Sequence, residues 1–106
     1  MKIALVTSCI AGIAQSKMAA KILTTEAESR GFEICVEEQG GHKIPNKLTK
    51  EDIASSDVVI FAKAVAISGK DRFQGKPIFE TTVGKAIRKS KSIIDDAIAT
   101  FENSQS

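Results

Sequence analysis

The sequence predicts an α/β fold, a three-layer α/β/α sandwich built around a mostly parallel four-stranded sheet. Two observations predict it. Short apolar or alternating segments, typical of strands, alternate along the chain with longer amphipathic segments, typical of helices. Strand–helix–strand units of this kind form parallel sheets that carry helices on both faces. The chain has 106 residues, the length of about one domain, so we expect a single domain over residues 1–106.

Four segments have the patterns of strands. Residues 3–6 are continuously apolar, as in a strand buried on both faces, whereas residues 32–38 alternate and predict a second strand nearer an edge. Residues 58–62 form the most continuous β-branched run, and residues 78–81 predict a short fourth strand. The resulting architecture is Rossmann-like, and such sheets bind ligands beyond the carboxyl ends of their strands. The loop predicted at residues 7–12 is therefore the first place to look for a site.

Helices are predicted between and after these strands. From about residue 13 one helical face is apolar, and it carries Met18, Ala19, Ile22, Leu23 and Ala27. Gly31 stands where a helix C-cap favours a left-handed residue. Thr49 and Asp52 have the spacing of a capping box that opens a short helix to about residue 55. Residues 68–77 are predicted as loop, residues 84–101 as one last helix, and residues 102–106 as a frayed tail.

Composition excludes several classes of function. Fifteen basic and 13 acidic side chains leave a net charge of only +2, and Trp and Tyr are absent, so nucleic-acid binding is not expected. Two cysteines and one histidine are too few for a disulfide framework or a four-ligand zinc site. We therefore expect no disulfide framework and no structural zinc site.

The first nine residues resemble a short secretory or lipoprotein signal, but the match is poor. The positive region is Lys2 alone, and the apolar stretch gives way to Thr7 and Ser8 after four residues. The longest uncharged run, residues 3–16, is shorter than the roughly 20 residues that span a bilayer. We expect a cytoplasmic chain with reduced thiols.

Cys9 is the candidate nucleophile. It follows the first strand and precedes a helix, whose free N–H groups and dipole would stabilise a thiolate and hold phosphate oxygens, and Gly12 lets the backbone curl around an anion. A tyrosine-phosphatase loop would need Arg where Gln15 stands, and a redox role would need a resolving partner, whereas Cys35 lies inside the second strand and is interpreted as structural. On position alone, Cys9 as a small apolar residue at a strand end is an equally good interpretation.

A family resemblance covers nearly the whole chain. Residues 6–16 read Val-Thr-Ser-Cys-Ile-Ala-Gly-Ile-Ala-Gln-Ser, with Met-Ala-Ala at residues 18–20. This segment resembles the start of the fructose-type enzyme IIB of the bacterial phosphoenolpyruvate-dependent sugar phosphotransferase system, which looks like Val-Thr-Ala-Cys-Pro-Thr-Gly-Ile-Ala-His-Thr. Further motifs follow in register at residues 36–40, 48–53, 57–60 and 72–77. By this resemblance the whole chain is a single EIIB type-2, fructose-like domain.

The resemblance implies a phosphoryl carrier in sugar transport. Cys9 would take phosphate from a phosphohistidine of a IIA protein and pass it, as phosphocysteine, to a fructose-like sugar held by the membrane-embedded IIC permease. The protein would work at the inner face of the membrane through IIC, without metal or cofactor. The phosphate would be held by backbone N–H groups and hydroxyls of Ser8, Ile10, Ala11, Gly12, Ile13, Ala14 and Ser16.

The chain departs from the family pattern near the cysteine. Gln15 and Ser16 replace the family's histidine and threonine, Ala11 replaces a hydroxyl residue, and Ala64 stands where family members often have Asp. These changes leave a second function open, a non-catalytic binding or regulatory module that retains the fold.

Three further charged or titratable residues lie in predicted loops. We interpret His42 as a solvated loop residue rather than a phosphate contact. Arg72 and Lys76 are interpreted in the same way, with contact to an acidic or phosphorylated partner as the alternative.

Overall fold

The computed structural model describes residues 1–9, 15–40 and 47–105, and these ranges form a four-stranded sheet flanked by helices. The elements, in chain order, are β1 (Lys2–Cys9), α1 (Gln15–Ser29), β2 (Glu33–Gly40), α2 (Lys50–Ser55), β3 (Val58–Lys63), a 3-10 turn (Lys70–Phe73), β4 (Ile78–Thr82), α3 (Val83–Arg88) and α4 (Ser90–Gln105). The strand order is β2-β1-β3-β4, and every pairing is parallel. The predicted fold class is confirmed, including the position of β2 at an edge.

Each face of the sheet has its own apolar core. Odd-numbered β1 residues such as Ile3 and Leu5 pack under α1, α3 and α4. The even-numbered Ala4 and Val6 pack with side chains of α2 and the 3-10 turn on the other face. β1 and β3 are buried on both faces because they occupy the centre of the sheet, which explains their continuous apolar runs.

The strand order reverses between β1 and β3. From β1 the chain goes outward to β2, then crosses back to β3 and continues outward to β4. The carboxyl ends of the two central strands lie side by side, with Ser8 opposite Lys63 in the register. This is the topological switch point at which doubly wound sheets hold ligands.

β1 is longer than its sequence pattern predicts. Thr7 and Ser8, expected in a loop, are fully buried and pair with Ala62 and Lys63 of β3. Their polarity does not end the strand, because their backbone groups stay in the ladders with both neighbouring strands. Cys9 is therefore the last residue of the strand itself.

The predicted last helix is two helices. Lys89 has φ −133° and ψ 47°, which interrupts the helix between α3 and α4, although neither Gly nor Pro marks the break. α3 and α4 both pack against α1 and against strands β3 and β4, so the interruption at Lys89 lets one apolar face follow the sheet in two segments. α4 continues to Gln105, so the predicted fraying from residue 102 is also wrong.

The predicted signals at the helix ends are confirmed, but one residue predicted on the apolar face of α1 is not buried. Gly31 has φ +80° at the end of α1, and Thr49 and Asp52 form the reciprocal hydrogen bonds of a capping box. Met18 was expected on the inner face of α1 but is 50% exposed. It lies in the first turns of the helix, beside the carboxyl edge of the sheet, where the core ends.

Candidate functional site

The candidate site lies at the carboxyl edge of β1. Cys9 ends this strand and pairs with Gly40, and α1 begins at Gln15. Because α1 returns the chain to the start of β2, its amino end stands at the same edge as Cys9. Ser16 lies in the first turn of α1. The remaining predicted phosphate contacts, Ile10, Ala11, Gly12, Ile13 and Ala14, lie outside the described residues, as does His42.

Ser8 ties the end of β1 to the segment that follows β3. Its side chain is fully buried, and Ser8 Oγ donates to the carbonyl of Val65 at 2.6 Å. The carbonyl of Ser8 accepts from the N–H of Ala64 at 2.8 Å. The hydroxyl proton is thus already in use, which differs from the expected phosphate contact. In this structure Ser8 fixes the segment after β3 against the end of β1.

A buried carboxylate organises the loops around this edge. Glu37 of β2 is fully buried, and Arg72 donates to both its oxygens at 2.9 Å each. The N–H of Leu48 adds a third hydrogen bond at 2.9 Å. The carboxylate therefore joins β2 to the segment before α2 and to the 3-10 turn after β3.

Gln39 extends this network along the same strand. Its amide nitrogen donates to Glu37 at 2.7 Å and to the carbonyl of Ser68 at 3.0 Å, while its amide oxygen accepts from the N–H of Ser68 at 2.9 Å. The pair of bonds to Ser68 mimics a strand ladder, so the segment after β3 is fixed at both ends, by Ser8 and by Gln39.

The protonation state of Glu37 follows from these contacts. Burial is the largest influence and would raise the pKa of the carboxyl group, but the hydrogen bonds from Arg72, Gln39 and Leu48 together outweigh it. The pKa of Glu37 lies below its ordinary value, and the pKa of Arg72 is raised by the same pair. Glu37 is an anion in the folded protein at neutral pH.

Arg72 and Lys76 are not loop-solvating cations, because both make hydrogen bonds within the fold. The alternative, contact with an acidic or phosphorylated partner, stays a prediction. Arg72 is committed to Glu37, and Lys76 Nζ donates to the carbonyls of Ala54 and Ser56 at 2.8 Å each, which caps the end of α2. Sequence reasoning missed the network because Glu37 has the alternation of an outward-facing strand residue. One signal was available in the sequence. Glu37 and Arg72 each lie in a motif shared with the resembled family, at residues 36–40 and 72–77.

Cys35 stands on β2 away from this edge. It is half-buried, its Sγ approaches the carbonyl of Ile3 at 3.7 Å, and burial, the largest cause, raises the pKa of its thiol. A thiol with a raised pKa is a poor nucleophile at neutral pH. These contacts agree with a structural role.

Two exposed apolar side chains flank the carboxyl edge. Met18 of α1 is 50% exposed, and Val65, in the segment after β3, is 39% exposed. Among the described residues, the third large apolar side chain of comparable exposure is Ile78, which begins β4 at the opposite edge of the sheet. Exposed apolar side chains around a polar site are typical of a surface that contacts another protein.

The described part of the chain offers no metal site and no membrane span. In those ranges no three His, Cys, Asp or Glu residues come together as metal ligands would. The helices there are too short or too polar to cross a bilayer.

The fold and the Cys9 position define a class, a doubly wound α/β protein with a cysteine at the switch point of its sheet. A sequence profile of one family, described as the lactose/cellobiose-specific IIB subunit of the PTS, the sugar phosphotransferase system, matches residues 4–96. The chain belongs to this PTS IIB family, whose members are phosphotransferase components.

Individual relatives agree with the assignment. The PTS system fructose-like EIIB component 2 of Escherichia coli K12 is 40% identical over 93 residues, which cover 88% of each chain. The fructose-specific EIIB'BC component of the same strain is 36% identical over 98 residues, or 92% of this chain and 17% of that longer protein. A crystallised domain of the fructose-specific IIABC component of Borrelia burgdorferi has a TM-score of 0.86 at 39% identity, covering 92% of this chain and 93% of that one.

Proposed function

We propose that this protein is the phosphoryl carrier of a sugar phosphotransferase system, taking phosphate from a IIA phosphohistidine onto Cys9. It then passes the phosphate to a fructose-like sugar held by a membrane-embedded IIC component. The observation that carries the proposal is the position of Cys9, at the switch point of the sheet and the amino end of α1, in a chain of the PTS IIB family. The fructose-like names of the relatives support the choice of sugar.

The proposed chemistry is two in-line displacements at one phosphorus atom. The Cys9 thiolate attacks the phosphorus, the S–P bond forms, and the N–P bond breaks, with its electron pair returning to the imidazole nitrogen. The sugar hydroxyl then attacks, the S–P bond breaks to restore the thiolate, and the hydroxyl proton passes to a base. The protein contributes mainly position and charge stabilisation to such transfers.

Backbone N–H groups are the proposed phosphate ligands. Those of residues 10–14, at the amino end of α1, would donate to the phosphoryl oxygens, and the Ser16 hydroxyl would add one more donor. Ser8 acts beneath them, because its hydroxyl holds the segment after β3 against β1. The site needs no metal in this scheme, since the helix end and the N–H groups stabilise the anion.

We expect the proposed partners, the IIA donor and the IIC permease, to bind one after the other at the carboxyl edge of the sheet. Met18 and Val65 provide apolar contact area on either side of Cys9, suited to a donor protein that must bind and leave. Relatives named EIIB'BC and EIIBC are longer proteins that this chain matches over only 17% and 20% of their length. Their names place B and C functions in one chain, which supports a working position at the inner, cytoplasmic face of the membrane, beside IIC.

Mass spectrometry of the intact protein tests the proposal. The chain is incubated with phosphoenolpyruvate, the general phosphotransfer proteins and a fructose-type IIA. We expect one added phosphoryl group on the wild type and on Cys35→Ser, the matched control, and none on Cys9→Ser. Circular dichroism checks that each variant is folded.

The same experiment distinguishes the carrier function from the rival one, a non-catalytic binding or regulatory module. A folded wild-type chain that gains no phosphate from several competent IIA donors would refute the carrier function and favour a binding or regulatory module. A phosphate that fragmentation of the wild-type protein locates at a position other than Cys9 would refute Cys9 as the acceptor. In a binding module, Cys9→Ser would keep its affinity for the partner.

A further inference from the structure

A short uncharged patch follows β3 at the carboxyl edge of the sheet. It consists of Ala64, Val65 and Ala66, three consecutive apolar residues that are all exposed, whereas Ile67 after them is buried. A continuous run of exposed apolar residues is uncommon on a domain surface unless it serves a contact. The packing of the core therefore does not explain this 64–66 patch.

The 64–66 patch lies beside the end of β1. In the register of the sheet Ser8 pairs with Lys63, and the N–H of Ala64 donates to the carbonyl of Ser8 at 2.8 Å. Neighbouring strands are about 4.8 Å apart, so the patch begins one strand spacing from the backbone of Cys9. A protein that delivers a phosphoryl group to Cys9 must cover this part of the surface.

The backbone around the patch is fixed before any partner binds. The carbonyl of Val65 accepts from Ser8 Oγ at 2.6 Å. Beyond the patch, the buried Gln39 forms two hydrogen bonds with the backbone of Ser68, at 2.9 and 3.0 Å. Residues 64–68 are neither helix nor strand, so side chains of β1 and β2 supply the bonds that regular structure would otherwise provide.

Charged side chains border the patch. Lys63 precedes it, Lys70 follows Ser68 by two residues, and the ammonium groups of both lie 3.6 Å from the carboxylate of Glu80. An apolar centre with a polar rim is the usual anatomy of a protein interface. Two ammonium groups on one carboxylate also suit the negative charge of the phosphoryl group that a donor carries, because opposite charges speed the encounter of two proteins.

We infer that the 64–66 patch is a preformed contact surface for the phosphoryl donor protein, and that Gln39 is the positioning residue that holds it in place. The inference rests on the proposed function, in which a IIA protein is that donor. Gln39 is buried, so it acts through Ser68 rather than by touching the donor. A segment that is already ordered binds without the entropic cost of ordering it.

Gln39→Met tests the inference, because methionine fills a similar space but makes no hydrogen bond to Ser68. The variant should fold. Ser68 is exposed, so its N–H and carbonyl can bind water instead, and Glu37 keeps its bonds to Arg72 and Leu48. We expect the amide hydrogen of Ser68 to exchange about tenfold faster than in the wild type, because the segment opens more readily.

Donor binding is measured by calorimetry with an unphosphorylated fructose-type IIA, in a Cys9→Ser background that requires no phosphoryl transfer. The dissociation constant should rise about tenfold in Gln39→Met and several-fold in Val65→Ser. In the double variant the Gln39 substitution should weaken binding less, because the patch that Gln39 holds has lost its largest side chain. With Cys9 intact, KM for phosphorylated IIA should rise in Gln39→Met while kcat stays unchanged.

Ser56→Ala is the matched control. Ser56 is buried like Gln39, and its hydroxyl donates to the carbonyl of Asp52 at 2.6 Å. It precedes β3 and so lies at the opposite, amino edge of the sheet. We expect this variant to lose some stability and to keep the affinity for IIA.

The outcomes separate this inference from the carrier function. If Gln39→Met binds IIA as tightly as Ser56→Ala does, the inference is overturned even though Cys9 is phosphorylated. Additive effects of Gln39→Met and Val65→Ser would overturn it as well, because general loosening of the fold does not depend on Val65. Weakened, non-additive binding in a chain that accepts no phosphate would uphold the inference and refute the carrier function. Should Gln39→Met not fold, Gln39→Asn, whose amide is one methylene shorter, takes its place in the same comparison.

Discussion

Replacing Arg72 by Met removes the partner of a fully buried carboxylate. Glu37 has no exposed surface, and Arg72 supplies two of its hydrogen bonds and forms an ion pair with it. Leaving a buried charge without its partner costs about 3–5 kcal/mol of folding free energy. A domain of this size has a total stability of roughly 5–15 kcal/mol, so the variant should be folded but fragile.

Arg30→Met is the matched control. The side chains of Arg30 and Arg72 are almost equally exposed, at 25% and 21%, and Arg30 also pairs with carboxylates. Its partners, Glu26 and Asp95, are 15% and 64% exposed and can return to water when the arginine is lost. We expect Arg30→Met to cost about 1 kcal/mol or less.

Urea unfolding followed by far-ultraviolet circular dichroism measures both costs, because the chain has no Trp or Tyr for fluorescence. The midpoint of Arg72→Met should fall by roughly 1–5 M, the cost divided by a urea slope of about 1–3 kcal/mol per M. In the wild type, the lowered pKa of Glu37 adds stability above its ordinary pKa of 4.5, and this stability is lost as the pH falls through the lower folded value. The variant Glu37 takes up a proton more readily, so the difference between the two proteins should shrink in acid.

Two results would refute this reasoning. One is an Arg72→Met cost no larger than that of Arg30→Met at pH 7, which would mean that the carboxylate rehydrates freely. The other is a cost that does not change between pH 7 and pH 4, which would mean that the arginine contributes packing rather than charge.

Two further predictions concern backbone conformation and partner contact. Gly31→Ala should destabilise the protein by about 1 kcal/mol, because Gly31 has φ +80°, whereas Gly84→Ala, in a helix with open space around it, should stabilise it by about 0.5–1 kcal/mol. Thermal unfolding of both variants decides this, and equal signs would contradict it. Met18→Gln should raise the KM for phosphorylated IIA several-fold, while Ile78→Thr, at the opposite edge, should not. Equal transfer kinetics in both would argue against a donor surface at Met18.

The sequence alone determined the order of the strands and of most helices, and it singled out Cys9 as the candidate nucleophile. The hydrophobic period of a segment and the signals at its ends are local properties of the sequence. They correctly predicted the strands at residues 3–6 and 58–62, the capping box at Thr49 and the C-cap at Gly31. The candidate site followed from topology, since the first strand of an alternating α/β chain ends at the switch point. Five collinear motifs then identified the family.

Only the tertiary structure decided which polar residues are buried and what they contact. Glu37 and Arg72 are 35 residues apart in the chain, and Ser8 and Val65 are 57 apart, so no local pattern links them. Met18 lies outside the core and the last helix is interrupted at Lys89, and the helical period of the sequence shows neither. The sequence pattern predicts Thr7 in a loop, whereas the structure buries it in β1 with an unpaired hydroxyl. A local sequence pattern predicts whether a segment is a helix or a strand. The burial of a polar group depends instead on distant segments that fold onto it.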